Sequence, residues 1–206
     1  MKILELFCGL GGWSKGFHDI FPDAEFYGVD IKNYGYPYNF IKADLNDWEP
    51  KEKYDIILAS PPCNQFCEEV RSTGCNHYSE RLGLSLVYRT FYLIEKIKPK
   101  FWVLENVWGL SEFIDKPKDI VRYGRRRCNP KSLRGGSKRA YLWGNFPDLG
   151  FFDECNFDVA AGRDKYKLVS NSKLLTRKYK PGERAQIPLS LSRQMAKKMK
   201  EKLVIR

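Results

Sequence analysis

Tyr54-Asp55-Ile56-Ile57-Leu58-Ala59-Ser60-Pro61-Pro62-Cys63-Asn64-Gln65-Phe66-Cys67 is the stretch that decides the fold of this chain. Its first six residues are a short apolar run with β-branched members, which predicts a buried parallel strand ending where Ser60 begins. Cys63 then lies just past a strand's carboxyl end, the edge at which open α/β sheets bind ligands. Two consecutive prolines lock φ and disfavour helix at the preceding residue, so the thiol is delivered on a stiff turn. A free cysteine is most often a small buried hydrophobe, and this stretch alone leaves both readings open.

Upstream, residues 2–7 read as a strand, followed by the turn Cys8-Gly9-Leu10-Gly11-Gly12 and a helix with Trp13, Phe17 and Ile20 on one face. This is the opening of a nucleotide-binding α/β unit, in which glycines let the backbone approach a ligand and the helix offers its N-terminus. A second strand over 24–29 leads to Asp30, placed where a carboxylate accepts hydrogen bonds from ribose hydroxyls. The third glycine of a dinucleotide fingerprint would fall at Ser14, which disfavours a nicotinamide cofactor. A third strand ending at Ala43-Asp44-Leu45 brings another carboxylate, Asp44, to the same edge, suited to an adenine amino group or simply to solvent.

Downstream, residues 64–83 are polar with little apolar periodicity and read as a long loop beside Cys63, of the kind that serves as a lid or binding loop. Cys63 and Cys67 are spaced like half a zinc site, but Cys75 and His77 are too close together to complete it, so no metal is expected. A helix over 85–98 carries Val87, Phe91, Ile94 and Ile97 at helical spacing and stops at Pro99. A strand over 101–104 follows, with Glu105-Asn106-Val107 at its end, where Glu105 either marks the solvent boundary or joins Cys63 at the edge. Arg122, Arg125, Arg126, Arg127, Lys131, Arg134, Lys138 and Arg139 crowd the connection between strands over 120–123 and 138–143, a cluster suited to phosphate contacts or to solvent. A helix from Ser190 carries the stripe Leu191, Met195, Met199 and Leu203, read as core.

The 206 residues suffice for one domain with a sizeable core, and 43% of them are hydrophobic. Six cysteines in no framework pattern read as reduced thiols of a cytoplasmic protein. Apolar runs fall short of the roughly 20 residues that span a bilayer, so no membrane association is expected. A formal net charge of +11 points to a polyanionic partner, most simply nucleic acid.

Together, Phe7-Cys8-Gly9-Leu10-Gly11-Gly12, Pro62-Cys63-Asn64-Gln65-Phe66-Cys67 and Glu105-Asn106-Val107 resemble, in order and spacing, the motifs of the cytosine-C5 methyltransferases. The resemblance covers residues 1–110 and extends weakly through Arg139-Ala140-Tyr141-Leu142-Trp143-Gly144. It implies a single domain with the Rossmann-like S-adenosylmethionine-dependent methyltransferase fold. Cofactor contacts are implied for Phe7, Cys8, Gly9, Leu10, Gly11, Gly12, Trp13, Asp30, Ile31, Asp44, Leu45 and Pro61, with Phe7 against the adenine. Cys63 is implied as the nucleophile, Glu105 as the group that holds the exocyclic amine and N3, and Arg139 as a cation near the thiol.

The chain departs from the family pattern at several points. Asn64 and Cys67 stand where the nucleophile motif has glutamine and serine, the basic motif survives as Arg139 alone with Ser137 at its earlier arginine, and Gln186-Ile187 is a remnant of the closing Gly-Asn motif. The interval from Arg139 to Gln186 is too short for a full target-recognition domain. Sequence selection is then expected from a short insertion around 148–180 or from a protein partner, or is absent. The implied reaction is methylation of C5 of cytosine in DNA, with RNA or a catalytically inactive nucleic-acid-binding subunit as alternatives. Attack of a thiolate on C6 makes C5 nucleophilic, which is why the chemistry needs a cysteine, and a stacked base must be flipped to reach it.

Overall fold

The computed structural model describes residues 1–67, 80–123, 138–150 and 187–204. Seven strands form one sheet: β1 (Lys2–Leu6), β2 (Glu25–Asp30), β3 (Asn39–Lys42), β4 (Ile56–Ala59), β5 (Phe101–Asn106), β6 (Asp119–Tyr123) and β7 (Lys138–Asn145). Their order is β3-β2-β1-β4-β5-β7-β6. The first five run parallel, while β7 is antiparallel to both β5 and β6. The strand order reverses at β1, so the carboxyl ends of β1 and β4 flank the crevice where a doubly wound, Rossmann-like sheet takes its ligand.

Both faces of the sheet are covered, which explains why β4 is apolar at every position and fully buried. On one face α1 (Gly12–His18) and α3 (Leu189–Val204) pack Trp13, Phe17, Leu191, Met195 and Met199 against Ile3, Ile56, Leu58 and Val103. The predicted C-terminal stripe is indeed core. The fit between the two helices is close: a Cβ on Gly16 would lie 2.4 Å from Ser192 Oγ, and that hydroxyl donates to the Trp13 carbonyl.

On the other face α2 (Glu80–Ile97) buries Val87, Thr90, Leu93, Ile94 and Ile97, a three-and-four spacing along one side. Lys98 ends it by taking a left-handed φ of 54°, its N–H returning to the Ile94 carbonyl at 2.8 Å, and Pro99 blocks a further turn. This helix begins five residues before the predicted start. Residues 64–83 are therefore not one loop: Asn64–Phe66 form a short 3-10 turn, and 80–83 belong to α2.

Candidate active site

Three left-handed residues shape the turn after β1. Phe7, Gly9 and Gly11 have φ of 56°, 50° and 75°, and Phe7 holds that conformation against the steric preference of its side chain. Below the turn, a Cβ on Gly11 would come within 3.1 Å of Pro37 Cδ, and one on Gly12 within 2.8 Å of the Ile187 backbone nitrogen. Above it, a Cβ on Gly9 would meet nothing within 4 Å. The turn is thus closely packed at Gly11 and Gly12 and open at Gly9.

Glu5, in the middle of β1, is 3% exposed. Its carboxylate accepts from the Trp13 N–H at 3.3 Å and the Ser14 N–H at 2.9 Å, and from the Ser14 hydroxyl, which also pairs with Tyr36 Oη at 2.7 Å. It caps the first turn of α1 from outside the helix, since Gly11 at the N-cap has no side chain to do so. Burial pushes its pKa up to about 7, opposed by those hydrogen bonds and by Lys15. Burial likewise raises the Tyr36 hydroxyl, with Glu5 adding to the effect.

The expected cofactor residues fall into two groups. Asp30 receives the Gly9 N–H on Oδ2 at 3.0 Å and the Lys32 N–H on Oδ1 at 3.4 Å, which leaves acceptor capacity on both oxygens. Beside it Ile31 is 63% exposed, an apolar surface standing at the edge. Phe7, Gly9, Leu10 and Gly12 are partly exposed, and Asp44 is exposed with Oδ1 held by the Asn46 N–H at 2.9 Å. Cys8, Gly11, Trp13, Leu45 and Pro61 are buried beneath them. Trp13 reaches across to the other motif, its indole N–H donating to Ser60 Oγ at 3.1 Å.

Cys63 follows β4 as the stiff turn requires. It has φ −92° and ψ −10°, is partly exposed, and its carbonyl accepts the Phe66 N–H at 2.9 Å. Phe66 anchors the turn, 1% exposed among Val87, Leu104 and Leu110. Two glycines make room for it: a Cβ on Gly83 of α2 would lie 2.6 Å from Gln65 Cβ, and one on Gly109 would lie 2.0 Å from the Phe66 carbonyl oxygen. Asn106, fully buried, donates from Nδ2 to the Pro61 carbonyl at 3.0 Å and accepts the Val107 N–H at 2.9 Å.

Glu105 is partly exposed at the carboxyl end of β5, paired with Leu142, so it arrives at the same edge as Cys63. Arg139 lies on β7 beyond the end of β5, exposed, with Nη1 donating to Tyr141 Oη at 3.5 Å. The second thiol near the crevice is of a different kind. Cys8 is 3% exposed, and burial, with Glu5 and Asp30 nearby, pushes its pKa up, which suppresses the thiolate. Among the described residues no cluster could hold a metal ion. Cys75, His77, the polar segment over 68–79, most of the arginine-rich connection, Gln186 and nearly all of 148–180 lie outside the described residues.

The profile of the C-5 cytosine-specific DNA methylases matches residues 1–119, which hold the glycine turn, the Cys63 turn and the end of β5. The chain belongs to that family. The type II methyltransferase M.FnuDI of Fusobacterium nucleatum is 30% identical over 132 residues, covering 59% of this chain and 37% of that protein. M.BsuFI of Bacillus subtilis, also a type II methyltransferase, is 26% identical over 192 residues, covering 84% of this chain and 45% of its own. A Frog virus 3 protein named "Probable DNA (cytosine-5)-methyltransferase" is 30% identical over 165 residues, covering 69% of this chain and 70% of that protein. The chain thus spans less than half the length of the two bacterial relatives.

In this member of the C-5 cytosine-specific DNA methylase family, several structural participants escaped the sequence reading: Glu5 as a cap, Tyr36 under the glycine turn, Ser60, Asn106 as a tie, and the close-packed Gly83 and Gly109. One carried a visible signal. A glutamate inside the apolar strand Lys2-Ile3-Leu4-Glu5-Leu6 has to find donors once buried. Among the described residues no helix is long and apolar enough to cross a membrane.

Proposed function

We propose that this chain transfers a methyl group from S-adenosylmethionine to C5 of cytosine in DNA through a covalent adduct at Cys63. The observation that carries the proposal is the convergence of Cys63, Glu105 and the open glycine turn on one sheet edge, with Asn106 bonded to Pro61 between the first two. The crevice suits the donor: Asp30 keeps acceptor capacity for ribose hydroxyls, Ile31 offers an apolar face for a purine, and the space over Gly9 admits the rest. S-adenosylmethionine, when bound there, supplies an electrophilic methyl group.

The protein's own residues do the remaining work. Cys63 as thiolate adds to C6 of the cytosine, which places electron density on C5 so that it can take the methyl group. Glu105 holds N3 and the exocyclic amine, sharing a proton so that charge growing on the ring is stabilised. Loss of the C5 proton to a base then expels Cys63 and restores the aromatic ring. A thiol of ordinary pKa is only a few per cent ionised at neutral pH, so the site must favour the thiolate, and Arg139, exposed at the same edge, is the cation proposed for that role. The substrate base leaves the duplex stack to reach Cys63.

Transfer of labelled methyl from S-adenosylmethionine to duplex DNA, single-stranded DNA and RNA, with Cys63→Ala in parallel, tests this reading. Label on C5 of cytosine in DNA, absent with the variant, is the expected result. Label retained by the variant, or found in RNA alone, overturns it.

A further inference from the structure

Of the five tryptophans, Trp13, Trp48, Trp102, Trp108 and Trp143, only Trp108 is exposed, at 44%. It follows Glu105-Asn106-Val107 directly and opens the 3-10 turn Trp108–Glu112. Its ring is tilted against Tyr141 with centroids 5.4 Å apart, and Tyr141 Oη accepts from Arg139 at 3.5 Å. The turn cannot drift from the nucleophile, because Gly109 rests on the Phe66 carbonyl and Asn106 is tied to Pro61. A large flat side chain is therefore held partly in solvent next to the carboxyl end of β5, 44% exposed, with a cation two residues from Tyr141 along the supporting strand.

We propose that Trp108, backed by Tyr141, is a stacking platform for a nucleobase of the DNA strand that carries the target cytosine. The occupant follows from the surroundings. An exposed indole packed on a tyrosine that an arginine bonds, on a chain of net charge +11, suits a base, whose π-face stacks on the ring while its phosphates meet the positive field. Continuity with the Cys63 turn places that base next to the one undergoing reaction. Stacking there offsets part of the cost of unstacking a flipped nucleotide, which favours single-stranded or locally opened DNA. This assignment rests on the DNA-methylating reading above.

The test uses a random-sequence single-stranded DNA 20-mer, with the full chain and its Trp108→Ala and Trp108→Phe variants. Tryptophan emission of the wild type should change on binding, and the change should be lost in both variants. Dissociation constants should rise about five- to a hundredfold for Trp108→Ala, the range that loss of one base stack gives, and by much less for Trp108→Phe. The slope of log Kd against log salt should stay unchanged, since no phosphate contact is removed. A Trp108→Ala dissociation constant within twofold of wild type, or a shallower salt slope, overturns the platform. So does a Trp108→Phe variant that binds as weakly as the alanine variant. Wild-type methyl transfer separates the two readings. Transfer with unimpaired Trp108→Ala binding removes the platform alone, binding without transfer removes only the reaction, and absence of any DNA binding removes both.

Discussion

Asn106 Nδ2 donates to the Pro61 carbonyl at 3.0 Å, joining the carboxyl ends of β5 and β4 one residue from Glu105 and two from Cys63. Both groups proposed for the chemistry are thereby positioned by a single buried amide. Asn106→Ala leaves the Pro61 carbonyl and the Val107 N–H without these partners inside the protein, at about 1–3 kcal/mol for each buried polar group left unsatisfied. Asn106→Asp keeps the acceptor for Val107 and loses the donor for Pro61. The expected outcome is a lowered unfolding midpoint for both, with kcat falling in each even at temperatures where the variant is fully folded. Denaturant melts beside single-turnover methyl transfer check this, and a folded Asn106→Ala with wild-type kcat would remove the tie from the account.

Gly109 and Gly9 make opposite predictions about one methyl group. A Cβ on Gly109 would sit 2.0 Å from the Phe66 carbonyl oxygen, so Gly109→Ala must push the Trp108–Glu112 turn away from the Cys63 turn. Overpacking of this kind costs about 1–3 kcal/mol or more, and it should lower stability and kcat together. Gly9→Ala meets open space and incurs only the strain of its φ of 50°, about 1 kcal/mol. Its added methyl instead intrudes on the proposed cofactor crevice. A raised KM for S-adenosylmethionine with near-normal melting is expected, and calorimetric titration with S-adenosylhomocysteine measures it without turnover.

The strands and the edge they share were legible because apolar runs of strand length are punctuated by Gly, Pro and carboxylates. That Cys63, Glu105 and the glycine turn share one edge follows from parallel strands, whereas their order along it is set by the strand order β1-β4-β5. What failed was the loop over 64–83, read from polar composition and weak apolar periodicity, whose last residues, Gly83 among them, belong to α2. In the structure Gly83 is a helical residue whose missing side chain lets α2 approach Gln65 and Phe66. Glycine carries one letter for two opposite causes, a flexible backbone and a close contact, and only the tertiary partner separates them. Asn106 escaped for the same reason: its partner Pro61 is 45 residues away in sequence.

The two thiols flanking the crevice should differ in reactivity. Burial and the neighbouring carboxylates raise the Cys8 pKa, while Cys63 is partly exposed on its turn. Reactivity follows thiolate fraction and access. In the folded protein, iodoacetamide should modify Cys63 and leave Cys8 untouched, as peptide mass mapping can show. Cys8→Ala should retain methyl transfer to within a few-fold, whereas Cys63→Ala should abolish it. Faster alkylation of Cys8 than of Cys63 in the native state would contradict the assignment.

Glu5 makes stability depend on pH in a direction unusual for a carboxylate. Its pKa rises from an ordinary 4.5 to about 7 because it is buried, so between these values the folded state holds a proton that the unfolded state has released. Stability from this group is complete at low pH, falls as pH rises through that window, and is level above it. The size is on the order of 3 kcal/mol. Glu5→Gln removes the titration while disturbing the cap, because the amide has one acceptor for the Trp13 and Ser14 N–H groups. The variant is expected to be less stable at pH 4.5, and its deficit should shrink steadily up to pH 7. Urea melts of both proteins across that range measure the difference, in which all other carboxylates cancel. Parallel stability curves would mean that Glu5 is ionised throughout, held charged by its three donors against the cost of burial.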